Sequence, residues 1–187
     1  MFILDTSAEK GGMILAENGQ LLRHQPLIGG ASLSKTLGSD VKNFLQSNKP
    51  DAIAVGKGPG SYTGIRVGVA MAKGLSYGWH IPLIGFCSLF AFVPQKDPTC
   101  PVLSDARSGG IYALLNGEPH LLAPEDPRLT TLPKAASLHP ATIQKRATLT
   151  ASLEETDFNP DFLSKLCYTQ FLEEGAAPFE LSYFSSP

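Results

Sequence analysis

Cysteine, paired histidine and long apolar runs are all scarce in this chain of 187 residues. Its three cysteines, Cys87, Cys100 and Cys167, are too few and too scattered for a disulfide framework or a zinc cluster. Four histidines, His24, His80, His120 and His139, show no HExxH pair or other close ligand spacing. On these spacings the chain is expected to hold neither metal nor cofactor. No apolar stretch approaches the roughly 20 residues that a membrane-spanning helix needs. The opening "MFILDTSAEK" carries neither a basic region nor a cleavage site, which points away from a secretory signal. A cytoplasmic protein with no membrane partner is the expectation. An excess of one charge is missing too: 15 Lys+Arg against 17 Asp+Glu leave a net −2, so nothing global favours tight nucleic-acid binding.

What is present describes a globular chain, 43% hydrophobic and 17% charged. At this length it forms one domain or two small ones. Two stretches repeat one plan. "FILDTS" is an apolar run ending at Asp5, followed by Gly11-Gly12 and then by Asn18-Gly19, the dipeptide preferred in two-residue hairpins. "VLSDARSGGIYALLNGEPHLL" repeats the order with Asp105, Gly109-Gly110 and Asn116-Gly117. Matching order and spacing predict a duplicated unit of strand, Asp-containing turn, strand, Asn-Gly turn and strand.

After the first hairpin, Leu33, Leu37, Val41, Phe44 and Leu45 fall on one helical stripe. "DAIAV" and "PLIGF" read as buried strands of a parallel sheet, with a glycine-rich segment between them. The first half therefore reads as a mixed sheet with helices packed on it. In the second half, "PEDPRLTTLPKAASLHPATIQ" carries four prolines and reads as irregular chain with one short strand at most. "NPDFLSKLCYTQFLEEG" predicts a closing helix capped by Asn159, begun at Pro160 with Asp161 in its first turn, and stopped at Gly175. Phe162, Leu163, Leu166, Cys167 and Phe171 are its expected buried side.

"GPGSYTGIRVGVAMAKGLSYG", residues 58–78, holds six of the 18 glycines. It fails the P-loop pattern, because Lys73 lies deep in the helical stretch and is followed by Gly74. It fails the dinucleotide fingerprint as well: Gly58, Gly60 and Gly64 are spaced GxGxxxG, and no acid occurs between Asp51 and Asp97. A weaker anion site at the helix start, from the amides of Gly60, Ser61 and Tyr62, stays open. Gly64, Gly68 and Ala72 recur every four residues and leave one helix side nearly bare. Since each central glycine costs on the order of 1 kcal/mol relative to alanine, close packing must compensate. Packing on the chain's own sheet and packing on a partner both fit.

"GPGSYTGIRVGVAMAKGL", with "ILDTS" before it and "DARSGGIY" after it, closely resembles the bacterial TsaB (YeaZ) family over residues 1 to about 115. "FELSYFSSP" resembles that family's closing strand only loosely. The resemblance implies an α/β fold, a duplicated ribonuclease-H-like or actin-like ATPase fold. It would have a mixed sheet with helices and a trimmed second half, divided into residues 1–99 and a smaller divergent 100–187. It implies a non-catalytic partner of a TsaD-like catalytic subunit, working with a TsaE-like ATPase, in formation of N6-threonylcarbamoyladenosine at position 37 of tRNAs reading codons that begin with A. The chain would pair with itself when TsaD is absent and meet tRNA only through the complex. By that resemblance the interface lies on residues 33–47 and 61–77, with Leu37, Val41, Phe44, Leu45, Gly64, Ile65, Gly68, Val69 and Ala72 as its candidates.

Three other functions compete. An ATP-dependent enzyme of the same superfamily would use Asp5, Thr6 and Ser7 as a first phosphate turn, with Gly60 and Ser61 beside it and Asp105 with Arg107 at the second; in a scaffold these form a vestigial anion or nucleotide site. Asp5 and Asp105 would otherwise only hydrogen-bond their own turns. Protease activity finds no visible Ser-His-Asp or Cys-His set. Direct tRNA binding would rest on Lys57, Arg66, Lys73 and Lys96, a weak patch.

Overall fold

The computed structural model describes residues 1–175 apart from Ala31 and Ser108, and not the side chain of Glu174. The closing "FELSYFSSP" lies outside the described residues. The described residues divide into two compact units, one built from Met1–Ser88 and residues 160–175, the other from Leu89–Asn159. This boundary differs from the expected 99/100 division. The physical reason is the last helix, which packs on the first sheet instead of closing the second half.

In the first unit, β1 (Phe2–Asp5), β2 (Lys10–Glu17) and β3 (Gln20–Ile28) form an antiparallel meander, and β4 (Ile53–Gly56) and β5 (Leu83–Phe86) add in parallel, giving the order β3-β2-β1-β4-β5. Helix α1 (Leu33–Leu45) precedes β4 and helix α2 (Tyr62–Trp79) links β4 to β5. Strand alternation sends Phe2, Leu4, Met13, Ile53 and Val55 into one core with the apolar stripes of both helices. Ile3, Ile14 and Ala54 point to the opposite face, where α5 (Pro160–Glu174) lies against β2, β3 and β5. Leu163 and Cys167 supply its buried side, as the pattern predicts. Asn159 donates from Nδ2 to the Val93 carbonyl at 2.8 Å, and the Gly175 amide donates to Phe171 at the helix end.

The second unit repeats the topology. Strands β6 (Val102–Asp105), β7 (Ile111–Leu115), β8 (Glu118–Leu122), β9 (Lys134–Ser137) and β10 (Ser152–Glu155) take the order β10-β9-β6-β7-β8, the same arrangement as the first sheet. Both hairpins turn at the expected Asn-Gly pairs, with φ of 50° and 77° at Asn18-Gly19 and 52° and 80° at Asn116-Gly117. The proline-rich stretch is more regular than its composition suggested. It holds α3 (Pro127–Thr130), β9 and α4 (Pro140–Arg146). Two of its prolines start helices, where the missing N–H is no loss and the fixed φ is already helical. Asp126 caps α3 by accepting from the Arg128 amide at 2.9 Å. Helices of four and seven residues replace the 13 and 18 of the first unit, so the trimming falls on the helices and spares the sheet.

Candidate functional site

The turn after β1 is where the two halves of the glycine question meet. Asp5 is 0% exposed, and Thr6 and Ser7 are buried with it. Asp5 Oδ1 accepts from the Ser7 amide at 2.9 Å and from the Ser7 hydroxyl at 2.7 Å. Thr6 Oγ1 donates to the Gly64 carbonyl at 2.7 Å, and the Ser61 amide donates to the Ser7 carbonyl at 2.6 Å. The start of α2 is thereby stitched over the turn.

Glycine permits this roof. A Cβ on Gly64 would overlap the Thr6 carbonyl oxygen, one on Gly68 would overlap Thr6 Oγ1, and one on Gly60 would overlap the Ser7 carbonyl. The strip through Gly64, Gly68 and Ala72 is therefore the inner face of α2. Leu37, Val41, Phe44, Leu45, Ile65, Val69 and Ala72 are buried in the same core. All nine expected interface positions are buried within the first unit. Helical spacing identified residues that share a face; which face turns inward is set by the Thr6 contact, which no local pattern records.

At the start of α2, where an anion site was expected, one amide and the cap hydroxyl are engaged within the chain. The Ser61 amide is spent on Ser7, and Ser61 Oγ accepts from the Gly64 amide at 3.3 Å as the N-cap. Burial pushes Asp5 above the usual carboxylate range, against the pull of the Ser88 and Ser7 hydroxyls and the Ser7 amide. The second turn has the same local form, since Asp105 Oδ1 accepts from the Arg107 amide at 2.8 Å, but it stays partly open. Arg146, a residue no motif flagged, donates from Nη1 to Asp105 Oδ1 at 2.6 Å from the end of α4. Sequence spacing has no way to join residues 41 positions apart. Arg107 is exposed with φ of 56°.

The outer side of α2 is also small-sided. Ala70, Gly74 and Gly78 are exposed at four-residue spacing, with nothing within 4 Å of a Cβ at Gly74 or Gly78. Val67, Met71 and Leu75 flank them half-buried, and Tyr77 is 86% exposed. On α1, Gly38 faces this side, with the Met71 methyl 3.7 Å from where its Cβ would stand. Arg66 lies 3.9 Å over the Tyr62 ring near the helix start. A separate cleft of about 420 Å³ in the first unit is lined by Met1, Leu22, Asp51, Tyr168 and Phe171 among others, and takes in none of the expected site residues.

Known proteins align with this picture. The family model described as "TsaD: tRNA N6-adenosine threonylcarbamoyltransferase" matches residues 41–126. The Escherichia coli K12 "tRNA threonylcarbamoyladenosine biosynthesis protein TsaB" is 31% identical over 118 residues, covering 58% of this chain and 51% of that protein. The Haemophilus influenzae protein of the same name is 34% identical over 121 residues, covering 60% and 51%. The structure titled "YeaZ from Pseudomonas aeruginosa" superposes with a TM-score of 0.68 at 23% identity, over 96% of this chain and 98% of that one. The chain is thus similar to the TsaB and YeaZ proteins over rather more than half of its length. Its fold, a mixed α/β arrangement with two five-stranded sheets, is that of the YeaZ structure. The aligned stretch spans about half the length of the curated relatives it matches. Among the described residues no helix is long and apolar enough to cross a membrane.

Proposed function

We propose that this chain is a non-catalytic scaffold for a TsaD-like catalytic subunit, acting with a TsaE-like ATPase in formation of N6-threonylcarbamoyladenosine in tRNA. The observation that carries the reading is the outer side of α2. Gly74 and Gly78 each weaken the helix by on the order of 1 kcal/mol relative to alanine. The inner glycines recover that cost through contact with Thr6, but among the described residues nothing lies within 4 Å of a Cβ built on the outer ones. A partner helix lying close along Ala70, Gly74 and Gly78, between Met71 and Tyr77, would recover it. The same side can pair two copies of this chain when no TsaD is present.

Similarity to the Escherichia coli and Haemophilus influenzae proteins supports the pathway, through their printed names. The match to the TsaD family model supports a catalytic partner of related fold. A non-catalytic role is supported by the first turn, whose carboxyl, hydroxyls and covering amides are spent on one another. Contact with tRNA then falls to the assembled complex in the cytoplasm.

Light scattering on a gel-filtration column tests this, with the protein alone and mixed with TsaD from the same organism. A stable one-to-one complex is expected, lost in Gly74→Arg while the variant keeps the unfolding midpoint of the parent. No association, with or without ATP and TsaE, would sink the scaffold reading and turn attention to nucleotide hydrolysis. Association undiminished in Gly74→Arg would move the interface elsewhere.

A further inference from the structure

Asp5 is the only acidic side chain among the buried polar residues described. Its two oxygens are unequal. Oδ1 accepts both Ser7 donors, whereas Oδ2 is shut off from solvent and has no hydrogen-bond partner among the described residues. The surroundings of Oδ2 can be named element by element. From β4 comes Gly56, where a Cβ would overlap Oδ2 and stand 2.6 Å from Ser88 Oγ. From the segment after β5 comes the Ser88 hydroxyl, whose oxygen accepts from the Gly58 amide at 3.1 Å. From α5 comes Cys167, a buried thiol pushed up by burial and by the neighbouring Asp5. The roof from α2 is glycine backbone over Thr6. No lysine, arginine or histidine acts on the carboxyl.

A carboxylate here is a buried charge with no counterion, a state that proteins escape by taking up a proton. Protonation at Oδ2 removes the charge and gives the oxygen that lacks a partner a proton to donate, with the Ser88 hydroxyl beside it. We propose that the folded protein keeps Asp5 protonated on Oδ2 at neutral pH, so that the β1–β2 turn is held by a neutral carboxylic acid and loosens when that acid is ionised. The turn then carries no charge with which to hold a divalent cation, since hard cations need charged or strongly polar oxygens. This inference is independent of the partner: it concerns what the turn itself has become.

Infrared difference spectra between the protein and Asp5→Asn, recorded in heavy water at about pH 7, read the protonation directly. A carbonyl band of a protonated acid, lost in the variant, is the expected result. In parallel, the folding equilibrium constant of Asp5→Asn relative to the parent should rise about tenfold per pH unit between the unfolded-state value of aspartate and the folded-state ionisation. A carboxylate band at neutral pH, or a ratio independent of pH, overturns the proposal. Should Asp5→Asn fail to fold, the parent labelled with carbon-13 at its aspartate carboxyls decides. One carboxyl must still show the protonated shift at about pH 7, and its absence refutes the proposal.

Discussion

Alanine placed at Gly68 and at Gly74, six residues apart on α2, should move stability in opposite directions. At both positions alanine gains on the order of 1 kcal/mol of helix propensity. At Gly74 nothing lies within 4 Å of the new methyl, so the gain should survive as a stabilisation of roughly 0.5–1 kcal/mol. At Gly68 the methyl overlaps Thr6 Oγ1 and comes within 3.3 Å of Thr6 Cβ, both buried. Thr6 must move, and its hydrogen bond to the Gly64 carbonyl at 2.7 Å is then lost. Stranding a buried hydroxyl costs about 1–3 kcal/mol, and forcing an extra methyl into a packed core about as much again. Net destabilisation of about 1–5 kcal/mol is expected once the propensity gain is subtracted. Urea unfolding of the three proteins, followed by far-ultraviolet circular dichroism, measures both effects in one series. A neutral or stabilising Gly68→Ala would refute the claim that the glycine strip exists to accommodate the turn. A destabilising Gly74→Ala would refute the claim that the outer side is empty.

Two further outcomes follow from charge and burial. Asp97, held by the Lys134 ammonium and by Thr99, is lowered to about 2. A lowered folded-state value stabilises above the ordinary aspartate range and loses that contribution as pH falls from about 4 toward 2. Lys134→Met should return Asp97 toward the ordinary range in an NMR titration, and an unchanged titration would show the pair to be idle. Cys167 is fully buried on α5 with its thiol pushed up by burial, so a thiol reagent should label it only on unfolding. Labelling of Cys167 in the native protein at the rate of a free thiol would contradict the packing of α5 on the first sheet.

Much of this was readable in advance where the rule is local. The Asn18-Gly19 and Asn116-Gly117 turns lie where the dipeptides predict, because two positive φ values in succession are a demand on those residues alone. The Asp-containing turns are legible for the same reason, each closed on an amide two residues on. The prolines at 127 and 140 misled, since proline both breaks helices and begins them, and composition cannot tell which. The stripe of α1 is legible as a stripe, but Leu37 and Phe44 look alike from the sequence whether they face a sheet or a partner; in the structure they lie in the core of the first unit.

By itself, then, the sequence determined the two strand–turn–hairpin units and the helices of the first half, all through periodicities and motifs spanning a few residues. The tertiary structure alone decided which side of α2 is spent on the turn and which stays empty. It also decided that α5 returns to the first unit, that Asp105 pairs with Arg146, and that Asp5 has no counterion. Each of those depends on atoms brought together from distant parts of the chain, Thr6 against Gly64 and Asp5 near Cys167, and contact of that kind leaves no spacing to be read.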